Sequence, residues 1–68
     1  MSESEKTAVA YREACTRYDL AVANLAVYAY TTDATLRADA DRVLAEATTA
    51  MATAFHAAVR ATLARKPF

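Results

Sequence analysis

The chain contains no glycine and no tryptophan, and only one cysteine, one histidine and one proline. Each scarcity excludes a class of chemistry. Without glycine, no Gly-rich loop can cradle a phosphate. A single thiol, Cys15, cannot close an intrachain disulfide, and with His56 as the sole imidazole no Cys/His zinc cluster can be assembled. His56 also lacks helical neighbours able to share a metal, since the positions three and four residues away hold Ala52, Thr53, Val59 and Arg60. The one proline is Pro67, so nothing earlier interrupts a helix.

Charge of one sign is missing as well. Eight basic and eight acidic side chains cancel, which is not the footprint of a strongly basic nucleic-acid binder. The longest near-apolar run, Leu20–Tyr30, has about eleven residues, where a membrane-spanning helix needs roughly 20. The opening Met1-Ser2-Glu3-Ser4-Glu5 is acidic and polar, the opposite of a targeting segment. A cytoplasmic protein with a reduced thiol and no membrane contact is therefore expected. Asp39 and Asp41 point to different sides of a helix, and no Ser/His/Asp constellation exists. The sequence is thus read as non-enzymatic, with no catalytic, cofactor-binding or metal-binding residues.

What is abundant is alanine, nineteen of 68 residues. Alanine is the best helix former and strand-favouring residues are few, so the expected fold class is all-α. Ser2 and Glu5 have the spacing of a capping box, with the Ser2 hydroxyl accepting from the Glu5 N–H and Glu5 reaching back to the N–H of Ser2. Helix 1 is predicted over about 3–30, a turn at about 31–33, helix 2 over about 34–65, and a short tip at 66–68. Thr31, Thr32 and Asp33 are each able to cap the start of helix 2. Fold-back about residues 31–32 gives an antiparallel two-helix hairpin.

On helix 1, Ala8, Tyr11, Cys15, Tyr18, Val22, Leu25 and Ala29 recur by threes and fours, a coiled-coil seam. On helix 2 the apolar face collects Leu36, Ala40, Val43, Leu44, Ala47, Met51, Ala54, Phe55, Ala58 and Thr62, opposite a polar face of Arg42, Glu46, Thr49, Thr53, His56 and Arg60. The fold-back is expected to lay Tyr18 over Ala47 and Tyr11 over Ala54, large against small. Apolar residues are left over. Val9, Leu20 and Val27 form a second stripe on helix 1, and Phe55, Val59 and Leu63 lie at the edge of helix 2. A 68-residue chain without disulfide or metal usually needs a partner to be stable. These six residues are accordingly the candidates for self-association into a homodimeric four-helix bundle. Tyr28, Tyr30 and Phe68 are candidates for a surface that meets another protein, tyrosine being enriched in binding hot spots.

The run Glu5-Lys6-Thr7-Ala8 resembles the start of the Rop family of plasmid repressor-of-primer proteins, and Arg60-Ala61-Thr62-Leu63-Ala64-Arg65 loosely resembles its end. That resemblance implies a homodimeric four-helix bundle binding paired RNA loops. The family reads RNA with polar, basic and aromatic residues along helix 1, where this chain has Glu3, Ala10, Ala14 and Leu25. Nucleic acid is therefore not the expected partner. The expected function is a protein–protein interaction module acting as a small adaptor, inhibitor or regulator. The alternatives are a Rop-like RNA-binding regulator and an accessory subunit buried against a different protein.

Overall fold

The structure, a computed structural model, describes residues 1–65 and the side chains of 1–64. The expected tip at 66–68, and with it Phe68, lies outside the described residues. Two helices, α1 (Glu3–Tyr28) and α2 (Ala34–Arg65), pack against each other as a hairpin. It measures 55 × 15 × 14 Å. A compact chain of this length has a radius of gyration of roughly 11 Å, against 15.7 Å here. The molecule is a rod, with one line of contact between two helices.

Helix α1 starts where Ser2 caps it. The Ser2 hydroxyl accepts from the Glu5 N–H at 3.2 Å and donates to the Glu5 carboxylate at 3.1 Å. The Glu5 side chain therefore returns to the hydroxyl of Ser2, where the capping box predicts its backbone N–H. Glu3 and Glu5 lie in the first turn, where negative charge suits the helix dipole.

The helix ends at Tyr28, two residues short of Tyr30. Short three-residue bonds tighten its end: Ala29 N–H to the Ala26 carbonyl at 3.3 Å and Thr31 N–H to the Tyr28 carbonyl at 3.2 Å. The Thr31 hydroxyl then accepts from the Asp33 N–H at 3.2 Å. Of the three candidate caps, Asp33 holds the start of α2. One carboxylate oxygen accepts from the N–H groups of Thr35 at 2.9 Å and Leu36 at 3.3 Å. Thr31 organises the turn and Asp33 organises the helix.

Among the described residues, the buried side chains are Ala14, Ala21, Ala40 and Ala47. Half-buried side chains extend the line on α1 as Ser4, Thr7, Tyr11, Tyr18, Leu25 and Tyr28, alternating by threes and fours with the two alanines. The observed seam keeps Tyr11, Tyr18 and Leu25 from the expected one and leaves Cys15 half-buried beside it, while Ala14 and Ala21 are buried and Val22 is exposed. The helix has rolled by about one residue. Alanine lets two backbones approach closely, and close approach maximises dispersion contact along the whole length. On α2 the line runs Ala40, Leu44, Ala47, Met51, Ala54, Ala58 and Ala61, as expected for seven-residue alanine spacing. Leu36, Val43, Phe55 and Thr62, expected on the buried face, are exposed. Across the helices Tyr11 meets Phe55, ring centroids 5.6 Å apart.

Two substitutions test these contacts by thermal melts. Asp33→Ala removes the acceptor of two helix N–H groups and is expected to cost about 1 kcal/mol. Ala47→Leu overfills a contact with 3 % exposure and is expected to cost about 1–3 kcal/mol. An unchanged melt for Ala47→Leu would show that the helices are not held at alanine distance.

Candidate functional site

The hairpin has two flanks, one on each side of the plane through its helices. Successive turns of each helix place the side chains beside the seam alternately toward one flank or the other. On the first, Tyr11 shares a groove with Phe55, Ala58, Val59, Thr62 and Leu63. Cys15 follows Tyr11 by one turn and Val22 follows Cys15 by two, which makes this the Cys15 flank. On the second, Arg17, Leu20, Ala21 and Asn24 share a groove with Val43, Glu46 and Ala47. This is the Asn24 flank.

The six candidates for self-association are exposed, and they do not lie on one surface. Leu20, at 65 % exposure, lines the Asn24 flank, and Val27, at 74 %, follows it by seven residues on the same line. Val9, 39 % exposed, lines neither groove. Phe55, Val59 and Leu63 lie together on the Cys15 flank. The structure thus separates the α1 stripe from the α2 edge. It also exposes Val22, Leu36 and Val43. Periodicity assigns these to the seam, and their exposure follows from the roll of α1 and the narrow alanine contact.

The two tyrosines beside the turn part company. Tyr28 is half-buried at the end of the contact line, while Tyr30 is 96 % exposed. The polar face of α2 is solvated as expected, with Arg42 donating to Asp39 at 3.1 Å and to Glu46 at 3.5 Å. All three side chains are about 60 % exposed, and such pairs contribute only a few tenths of a kcal/mol. His56 lies on this side, with its ring 5.9 Å from that of its neighbour Phe55. Among the described residues no group of three or more His, Cys, Asp or Glu is placed to hold a metal. No helix among them is long and apolar enough to cross a membrane.

The chemistry that stands out on the Cys15 flank is the pairing of Tyr11 with Cys15. Tyr11 has its pKa raised above the ordinary 10.0, first by a hydrogen bond with Cys15, then by the charge of the ionised thiol, then by burial. The protonated phenol is favoured in the folded state, so its contribution to stability is complete below the ordinary tyrosine range. It is lost as pH rises through the raised value. Comparison with protein-family models, curated protein sequences and solved structures finds no match to this chain.

Cys15→Ala removes the two leading causes of the Tyr11 shift. A spectrophotometric titration of tyrosinate should then show one tyrosine moving down toward 10.0. An unchanged titration curve would separate Tyr11 from the thiol.

Proposed function

We propose that the protein is a non-enzymatic interaction module: a helical hairpin that homodimerises into a four-helix bundle and acts as a small adaptor, inhibitor or regulator of another protein. The observation that carries this reading is the mismatch between what the hairpin buries and what it leaves exposed. Its buried side chains are alanines, and each methyl-sized group contributes only roughly 0.8 kcal/mol. Its five valines, Leu20, Leu36, Leu63 and Phe55 are all exposed, from 38 % at Val59 to 74 % at Val27.

Magnitude supports self-association. A compact monomer of 7.3 kDa exposes roughly 4,200 Å² by surface-to-mass scaling. The hairpin exposes 5166 Å². The excess, about 1,000 Å², is comparable with the roughly 800 Å² that each partner buries in a specific interface. A rigid bundle then presents its solvated α2 face and the exposed Tyr30 to a regulated protein. Action in the cytoplasm agrees with a lone cysteine that stays reduced there.

Light scattering at several concentrations, with a melt by circular dichroism, tests the reading. A dimer with a cooperative melt is the expected result. A monomer or ill-defined aggregate with a shallow melt would favour an accessory subunit that waits for a different chain.

A further inference from the structure

We propose that the second copy docks on the Cys15 flank with its ends exchanged, the turn of one hairpin lying over the open end of the other. The two-fold axis passes near Cys15 and Met51. This inference rests on the self-association reading and adds to it a face and a direction.

The face follows from charge. The outer border of α2 on the Cys15 flank is Ala38, Ala45, Ala52 and Val59, spaced by sevens and without a charged residue. The Asn24 flank is different: Arg17 and Glu46 line its groove, and Asp39 and Arg60 continue the line of Glu46 at intervals of seven. Interface cores are depleted in charge. The Cys15 flank carries an apolar strip from Cys15 and Val22 across the seam to Phe55 and Val59, with Asp41 toward the turn and Glu5, Arg12 and Asp19 confined to the outer border of α1. At 55 Å by 15 Å, its projected area is about 800 Å², the amount a specific dimer needs per partner.

The direction follows from side-chain size. On the Cys15 flank of α2 the line Asp41, Leu44, Thr48, Met51, Phe55, Ala58 and Thr62, taken outward from Met51 in both senses, sets Phe55 against Thr48, Leu44 against Ala58 and Asp41 against Thr62. An antiparallel contact of α2 with its own copy centred on Met51 therefore fits large to small and polar to polar, as close packing requires. On α1 the same reading outward from Cys15 sets Ala8 against Val22 and Tyr11 against Tyr18.

A two-fold axis across the hairpin must cut both helices at one height. Tyr11 meets Phe55, and four residues onward in α1 and four back in α2 bring Cys15 level with Met51. The two centres therefore coincide. The alternative, with like ends together, lays Tyr11 of each copy on Phe55 of the other and Leu25 on Asp41. Tyr11 meets an aromatic ring in either arrangement; what separates them is Asp41, which faces an apolar chain with like ends together and the Thr62 hydroxyl with ends exchanged.

The orientation is read by double electron–electron resonance on the full chain carrying Cys15→Ala and a nitroxide on Thr32→Cys at the turn. A turn-to-turn distance near the 55 Å length of the hairpin is expected. A distance near its 15 Å width, in a sample of dimer mass, would overturn the exchanged arrangement and leave self-association standing. The face is read by light scattering. Val22→Glu should halve the mass, while Leu20→Glu on the other flank should keep it. Loss of helicity with loss of mass in Val22→Glu also supports the face, because a lone hairpin exposes Val22 and tolerates a glutamate there. A monomeric Leu20→Glu beside a dimeric Val22→Glu would move the interface to the Asn24 flank. A monomeric parent chain would remove the self-association reading itself.

Discussion

The alternation of small and large side chains along one line of contact sets the terms for everything else in this molecule. Ala14 and Ala21 on α1, with Ala40 and Ala47 on α2, are its buried members, and Tyr11, Tyr18, Leu25, Leu44 and Met51 are its half-buried ones. A methyl group reaches no further than the contact line. Val22, Leu36, Val43 and Phe55, which lie beside that line, are left exposed on the flanks. Tight pairing and an exposed apolar surface are therefore one fact seen from inside and outside. Helix capping and half-buried tyrosines help, but the apolar flanks hold most of the burial still available to the chain.

Much of this was legible in the residues. The absence of glycine and internal proline, with nineteen alanines, leads directly to two helices. The Ser2 cap and the break near residues 31–33 follow from side-chain oxygens competing for backbone N–H groups, a local matter that sequence records well. The roll of α1 was less legible. Ala14 and Cys15 are both apolar by pattern, and periodicity cannot choose between adjacent lines when each alternates by threes and fours. Size chooses, through the distance between helices, and that distance is known only once both helices are in place. The grouping of leftover apolar residues was hidden for the same reason. Leu20 and Phe55 look equivalent along the chain, yet a one-residue roll sends them to opposite flanks.

The electrostatics of the hairpin are modest by construction. Arg42 bridges Asp39 and Glu46 in water, where solvent screens both pairs. The perturbed group is Tyr11, whose neighbour Cys15 stands on the next turn. Its cause is proximity on one helix, so it requires α1 to be helical between them and reports on that helix directly. An optical signal from one tyrosine thus belongs to the flank where the apolar residues are most continuous.

The turn between the helices is built without a residue at positive φ. Its geometry comes from hydrogen bonds of Thr31 and Asp33, and Ala29, Tyr30 and Thr32 sit in ordinary backbone conformations that any side chain can adopt. The joint consequently stores no steric strain and imposes no glycine requirement. For a chain whose helices meet along a line of alternating small and large side chains, variation can collect at this tip instead. New side chains, or a lengthened loop, can be installed there without disturbing the spacing of the helices, so this end is the one at which the scaffold can diversify.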